Sequence, residues 1–377
     1  MGWFLFPVLV YSGLILYYTY YFYKKKYNPN ANPIADVLPE ISVIIPFRNE
    51  AQHIPSLVQS LVQLTYPANK IEFIWINDHS TDNSYELLSS LLTKQNFPYR
   101  YQIVSLEGRK YGKRMALMEG IHKTSYTLIA TLDADCTVAS TWLTKMAGTQ
   151  WQSHADLIMG PVLLKQSKSV LSIFFAIEQL SLTATAAASA WAGNPILCSG
   201  ANLVFFKSDF IDYLKHAAPP IPVGDDIFFM LYLKKIGKRI DYVASPDAIV
   251  TTTAPDTIGQ FINQRIRWVS KSRYYADPTI IGVALIVAIT NIVLVVSMGC
   301  AFFSSQAFKL WLTAILVKVC IDFPLLYKAA KMLGHEKIIR IYPLAQLIYP
   351  IFVTFVSIYG NFAKFSWKQR TIQHKSD

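Results

Sequence analysis

The chain has 377 residues, is 53% hydrophobic and only 16% charged, and carries a formal net charge of +11. About a quarter of the residues of a soluble domain are charged, so these figures exclude a disordered, collagen-like or ordinary soluble basic protein and put part of the chain in lipid. Cys136, Cys198, Cys300 and Cys320 show no CxxC spacing and no paired framework. That supports neither a disulfide scaffold nor a zinc ribbon and fits a reducing cytosolic environment for the polar part.

Residues 1–23 carry no charged side chain, are rich in Tyr and Leu, and run straight into Lys24, Lys25 and Lys26. A membrane-spanning helix needs about 20 apolar residues, because lipid offers no partner to an exposed backbone group or ion. A secretory signal has its positive charges before the apolar run and a small-residue cleavage site after it, the reverse of the order here. The segment reads as an uncleaved anchor whose C-terminal end the lysines hold in the cytoplasm.

Between residues 40 and 277, short β-branched or aromatic runs alternate with helical stretches: ISVIIPF, HIPSLVQSLVQL, IEFIWIND, DNSYELLSSLL, YQIVSL, KRMALMEGIHK and YTLIATLDAD. The alternation predicts βαβ units on a mainly parallel sheet, an α/β architecture of nucleotide-binding type. Ligands of such sheets collect at the carboxyl ends of the strands. Polar residues stand at those ends: Arg48, Asn49 and Glu50 after the first strand, Asp78 after the second, Asp133 and Asp135 after the fourth. No GxGxxG follows the first strand and no GxxxxGK appears, so a nucleotide needs another device to hold it. Asp133 and Asp135 leave a buried strand two residues apart, either as a solvated turn or as a pair addressing one hard divalent cation.

The stretch 168–193 is nearly apolar but contains Glu178 and Gln179 and many Ala, Ser and Thr residues. It is expected to be an amphipathic helix lying on the membrane or on the soluble block, not a span. Further on, Asp225 and Asp226 open an amphipathic helix, where acids serve as caps or point into a cleft. QRIRW at 264–268 follows, just ahead of the last apolar region. Its Arg265 and Arg267 suit anionic lipid head groups or a pyrophosphate, and Trp268 suits the interface or a stacked sugar ring.

The C-terminal membrane region covers 278–363. Residues 278–308 and 341–363 lack charged side chains, and 310–327 is apolar except for Lys318 and Asp322. At i, i+4 these two face one another, either as a self-neutralised pair or as a functional site within a span. Three closing spans would put the basic tail, 364–377, opposite the lysine triplet, a conflict with the positive-inside rule that an interfacial or re-entrant segment would relieve.

In order along the chain, VIIPFRNE (43–50), INDHSTDNS (76–84), GKRMAL (112–117), DAD (133–135), SGAN (199–202), GDD (224–226) and QRIRW (264–268) resemble the motifs of the family 2 inverting glycosyltransferases. The likeness is to the membrane-embedded group that includes cellulose, chitin and hyaluronan synthases and glucosylceramide-type transferases, and it covers about residues 40–275. It implies a GT-A fold binding a nucleotide diphosphate sugar, most often a UDP-sugar, with Mg or Mn. By the same resemblance Pro46, Glu50 and Asp78 contact the uridine and Lys113 lies near the nucleotide. Asp133 and Asp135 form the DxD that reaches the metal, and Asp226 is the general base. Gln264, Arg267 and Trp268 form QxxRW, which serves the diphosphate and acceptor sites. Asn77 and His79 depart from the usual DDGSTD, and Asp225 departs from the usual Glu of the acidic pair. His79 reads as a turn residue.

These roles imply a single displacement. Asp226 accepts the acceptor hydroxyl's proton while metal and arginines stabilise the departing diphosphate, and no acid is needed to protonate so good a leaving group. The expected partners are a nucleotide-sugar, a lipid or glycan acceptor and the bilayer, with the catalytic block cytoplasmic. A processive polysaccharide synthase, with an export partner or dimer, is the rival within the family. A non-catalytic scaffold would be free to lose the acids that are all present here. Nucleic acid is not expected, since the basic residues cluster beside apolar segments rather than along a groove-reading face.

Overall fold

A computed structural model of the chain describes residues 5–25, 38–108, 111–165, 169–216 and 225–360, with the backbone of 365–367 and 370–372. Lys26 and Gly224, which entered the sequence reading, lie outside the described residues, as do Lys364, Lys368 and Lys375 of the basic tail and the side chain of Arg370. The elements in chain order begin α1 (Leu5–Lys24), β1 (Ile41–Phe47), α2 (Ile54–Val62), β2 (Ile71–Asn77), α3 (Ser84–Lys94), β3 (Arg100–Ser105), α4 (Lys113–Lys123), β4 (Leu128–Thr131) and β5 (Cys136–Val138). They continue with α5 (Trp142–Ser153), β6 (Leu157–Met159), β7 (Val162–Leu164), α6 (Val170–Trp191), β8 (Leu203–Phe206), α7 (Lys207–His216), α8 (Asp225–Lys235), β9 (Ile240–Tyr242) and β10 (Val250–Thr252). Last come α9 (Ile258–Val269), α10 (Pro278–Ala301), α11 (Ser305–Met332), α12 (Tyr342–Tyr359) and a short antiparallel pair, β11 (Phe365–Trp367) and β12 (Arg370–Ile372).

The chain divides into two compact units, one of Tyr27–Lys165 and Leu197–Thr253, the other of Met1–Lys26, Gln166–Ile196 and Ala254–Asp377. The first is built on a seven-stranded sheet among the described residues, in the order β3-β2-β1-β4-β8-β6-β9. Strands β3, β2, β1 and β4 run parallel, as the βαβ alternation predicts. β8 runs against both β4 and β6, so the sheet is mixed around one reversed strand. The central strands are apolar because both faces are covered: β2 is buried throughout and β1 at all but one position. Leu57 and Leu61 of α2 and Leu88 of α3 pack with Val43, Ile45 and Trp75 in this core. A second, three-stranded sheet in the order β5-β10-β7 carries the chain past the end of β4.

The second unit is helical. Among the described residues five helical stretches of this unit, Leu5–Lys24, Val170–Trp191, Pro278–Ala301, Ser305–Met332 and Glu336–Tyr359, are long and apolar enough to cross a membrane. α6 therefore departs from the expected surface helix: more than half of it is buried, on all sides of its C-terminal half. Its run of Ala, Ser and Thr offers little side-chain bulk, which favours close approach of neighbouring helices. α9 also joins this unit, so the central block of the sequence reading gives up both 166–196 and 254–277.

Lys318 and Asp322 form the expected pair, and the structure encloses them. Lys318 Nζ donates to Asp322 Oδ2 at 2.6 Å and to Gln346 Oε1 at 2.9 Å, Gln346 Nε2 donates to Asp322 Oδ2 at 3.2 Å, and Tyr11 Oη donates to Asp322 Oδ1 at 2.8 Å. The ammonium also lies over the rings of Tyr11 and Tyr349. Four groups from α1, α11 and α12 thus satisfy one another, and Lys318 is fully buried. Breaking such a pair leaves an uncompensated charge, at about 3–5 kcal/mol, whereas replacing both partners with apolar groups is often neutral. Lys318→Met is therefore expected to lower the thermal midpoint of the detergent-solubilised protein strongly, and adding Asp322→Leu to restore most of the loss. A double variant no more stable than the single one would count against the enclosed-pair account.

Candidate active site

The site is assembled at the carboxyl ends of β1, β2 and β4. After β1 the chain turns through Asn49, whose φ of 52° is left-handed, and after β2 it turns through His79 at φ 53°. The two turns are laced together: Asn49 Oδ1 accepts from the Thr81 N–H at 2.8 Å, and Arg48 donates to the carbonyls of Asp78 and His79 at 2.8 and 2.6 Å. His79 stands where the resemblance has glycine, and its backbone conformation explains that preference, since a left-handed turn is free of strain only for glycine. Asn77, in place of the family's first acid, accepts from the Ser80 N–H at 2.9 Å and donates to Ser105 Oγ at 3.2 Å, a donation that an ionised carboxylate does not make.

Pro46 lies within β1. Glu50 is buried, with its N–H donating to Ser84 Oγ at 2.7 Å. Asp78 is 2% exposed and its Oδ2 accepts from the Gly112 N–H at 3.0 Å, which ties the end of β2 to the start of α4.

From the first turn of α4, Lys113 and Arg114 reach one acid each of the pair that opens α8. Arg114 Nε lies 3.5 Å from Asp225 Oδ1, and Asp225 is 7% exposed. Lys113 Nζ bonds Asp133 Oδ1, beyond the end of β4, and Asp226 also acts on it. Burial pulls the Lys113 ammonium down, but Asp133, then Asp226, then Asp135 outweigh that and raise its pKa above the ordinary lysine value. Gly200 sits between the two groups. Its N–H donates to Asp226 Oδ2 at 2.9 Å, and a Cβ added there would lie 3.3 Å from that oxygen and 3.5 Å from Lys113 Nζ. A side chain at residue 200 would thus press on the Asp226 carboxylate and touch the Lys113 ammonium.

Asp133 and Asp135 are half-buried on either side of buried Ala134. Asp135 Oδ1 accepts the Cys136 thiol at 3.3 Å. Burial, followed by Asp135 and Asp133, pushes that thiol well above its usual pKa, so it stays protonated as the donor. Among the described residues no group of three or more His, Cys, Asp or Glu side chains is placed to hold a metal ion. The donor set nonetheless fits Mg or Mn, which prefer oxygen ligands and are commonly held by one or two carboxylates with substrate phosphates and water filling the shell.

Gln264, Arg265, Arg267 and Trp268 lie on α9 of the helical unit. For Arg265 the structure corrects the expectation of a guanidinium available to pyrophosphate. It is 4% exposed and paired with Glu178 of α6, its Nε donating to both carboxylate oxygens at 2.9 and 3.0 Å and its NH2 group bonding one of them. Its remaining edge donates to Gln264 Oε1 at 2.5 Å, and its faces meet the rings of Phe261 and Trp268 at 4.4 and 4.1 Å. A buried Glu178 needs a cation, and Arg265 supplies it. Gln264, Arg267 and Trp268 are half-buried.

Sequence reasoning quoted SGAN but gave Asn202 no role. Asn202 is fully buried; its Nδ2 donates to the carbonyls of Pro161 and Ala248, both at 2.9 Å, and its Oδ1 accepts from Trp142 Nε1 at 2.9 Å. No local signal marks this, because its partners are 41 to 60 residues away.

The fold class follows from comparison with a mannosyltransferase, PcManGT of Pyrobaculum calidifontis, solved with GDP-Man and Mn2+: the likeness has a TM-score of 0.58 at 17% identity and covers 93% of this chain and 96% of that one. This is the GT-A fold. Residues 42–214 match the model of Glycosyl transferase family 2. An N-acetylglucosaminyltransferase of Rhizobium meliloti (strain 1021) is 26% identical over 240 residues, 61% of this chain and 55% of that protein. A poly-beta-1,6-N-acetyl-D-glucosamine synthase of Staphylococcus aureus (strain COL) is 29% identical over 255 residues, 67% of this chain and 59% of that protein. The chain therefore spans little more than half the length of these curated relatives.

Asn202→Ala is expected to destabilise the sheet unit by at least about 2 kcal/mol, because it strands an indole N–H and two carbonyls in the interior. Thermal unfolding checks this, and a midpoint equal to the wild type would contradict the assignment.

Proposed function

We propose that this protein is a membrane-bound inverting glycosyltransferase that moves a sugar from a nucleotide diphosphate sugar, a UDP-sugar, to a hydroxyl of a lipid-linked or glycan acceptor at the cytoplasmic membrane face. The observation that carries the reading is the convergence of Asp133, Lys113 and Asp226 about Gly200, which puts an ammonium and two carboxylates within one small volume at the end of β4. The names of the relatives support UDP-N-acetylglucosamine as the donor to test first.

In this reading Pro46, Glu50 and Asp78 border the uridine, with Asp78 held by Gly112. Asp135 and Asp133 hold a divalent cation, which when bound offsets charge on the leaving diphosphate. Lys113 adds a positive group beside the same oxygens and keeps Asp133 from facing the diphosphate as a bare anion. Asp226 accepts the acceptor's proton as its oxygen attacks the anomeric carbon and the bond to the diphosphate breaks on the opposite face, so one displacement inverts the centre. The Gly200 and Ile227 N–H groups, each 2.9 Å from an Asp226 oxygen, fix the carboxylate's direction. Gln264, Arg267 and Trp268 serve the acceptor and diphosphate.

A processive synthase is the second reading, favoured by the poly-N-acetylglucosamine synthase relative and by the helical stretches able to span a membrane. Product length in reconstituted membranes with labelled UDP-sugar separates the two: one or a few added sugars supports single transfer, long polymer supports the synthase.

Asp226→Asn should abolish transfer, by on the order of 100-fold or more, while UDP binding stays nearly normal; retained activity would sink the base assignment. Asp135→Ala should weaken nucleotide binding in Mn2+ and remove its sensitivity to chelator. UDP affinity that is the same in wild type with and without chelator would leave the metal assignment without support.

A further inference from the structure

We infer that Glu178 is a positioning residue for the QRIRW segment: through the Arg265 guanidinium it sets the directions of the Gln264 carboxamide and the Trp268 indole. The inference rests on the proposed reading of Gln264 and Trp268 as acceptor-side groups.

Arg265 is the hub. Guanidinium is planar and charged at every accessible pH, with donors around its edge and two faces that stack on aromatic rings. Here both kinds of surface are used. One edge meets Glu178 and, at 3.2 Å, the Gln179 side-chain Oε1, the other edge meets Gln264, and the faces meet Phe261 and Trp268. Phe261 and Trp268 stand four residues before and three after Arg265, so they share its face of α9. These local contacts alone leave the guanidinium free to slide along that face. The fixed point comes from α6, where Glu178 grips Nε and NH2 in the two-pronged geometry that also fixes the plane's rotation. Once the plane is set, the direction of NH1 is set, and with it the Gln264 oxygen; the indole stacked on the plane is set as well.

The same geometry separates positioning from stability. A buried pair that only holds α6 to α9 is replaceable by apolar groups of similar size. A pair that aims Gln264 and Trp268 is not, because no methionine donates to Gln264 or presents a charged plane to Trp268.

The test uses the full chain in lipid nanodiscs, with UDP-N-acetylglucosamine and the acceptor found for the wild type. Glu178→Gln and the double variant Glu178→Met with Arg265→Met are compared with wild type for kcat, donor KM and thermal midpoint. The double variant is expected to melt near the wild type yet to lose kcat on the order of 10-fold to 100-fold, the scale of a misplaced reacting group, with donor KM little changed. Glu178→Gln is expected to lose kcat in the same direction. Wild-type kcat in a folded double variant overturns the inference. Trp268 emission, isolated by subtracting the spectrum of Trp268→Phe, supplies a readout that needs no turnover: it should shift in Glu178→Gln, and an unchanged emission overturns the inference. If the wild type transfers no sugar from any nucleotide donor, the functional reading fails on its own account and the emission alone decides the placement of Trp268.

Discussion

Because β8 runs against β4, the residues that precede β8 meet the residues that follow β4. The register pairs Thr131 with Leu203, the last residue of one strand with the first of the other. Asp133 lies two residues beyond that point in one direction and Gly200 three residues beyond it in the other, so a strand reversal brings the SGAN turn to the DxD. Parallel strands on both sides of β4 would have sent residues 199–202 to the opposite edge of the sheet. Gly200 then supplies the N–H that directs Asp226, and Asn202 fastens the turn to the loops at Pro161 and Ala248. The acids of α8 are collected by the paired cations of α4, which starts at the Asp78 end of β2. The meeting of the SGAN turn, the DxD and Asp226 thus depends on one antiparallel pairing, whereas Pro46, Glu50 and Asp78 are placed by the parallel strands β1 and β2.

The helical unit is governed by a different constraint, the cost of a charge away from water. Its apolar stretches leave few polar partners, so each buried ion must find an opposite in its own neighbourhood. Lys318 finds Asp322 one turn along its own helix, with Tyr11 and Gln346 closing the remaining valences. Glu178 has no such neighbour on α6 and is met by Arg265 from 87 residues further along the chain. The first pair costs the sequence nothing in topology. The second requires α6 and α9 to pack in one orientation, and that requirement converts a charge in an apolar helix into a constraint on QRIRW.

The difference between those two pairs also explains how far the sequence could be read. The parallel strands were legible because β1, β2 and β4 are buried on both faces and read as continuous β-branched and apolar runs bounded by polar residues. Asp78, Asp133 and Asp135 were legible because strand ends are where such folds gather ligands, and Lys318 with Asp322 because i, i+4 is a local relation. The reversal of β8 was not, since LVFF has the same composition in either direction. Asn202 and Gly200 have no role legible in SGAN because their partners are set by the sheet order rather than by neighbours in sequence. The expectation of a surface position for α6 rests on Glu178 and Gln179 as water-seeking groups; with Arg265 in place, the carboxylate is neutralised inside the helical unit.

That last point bears on hydropathy in general. A charged residue lowers the membrane propensity of its own helix only if its partner comes from water; when the partner is a second buried ion, the pair has to be scored together. Scored alone, α6 is an interfacial helix and Arg265 is a cation awaiting a phosphate. Scored as one group, they are a neutral bridge whose two halves sit on different helices, and Arg265 is committed to Glu178. The net charge of +11 then overstates what the protein can offer an anionic ligand or head group, because some of its basic residues, Lys318 and Arg265 among them, are already balanced inside the helical unit and others, Lys113 and Arg114, within the candidate site itself.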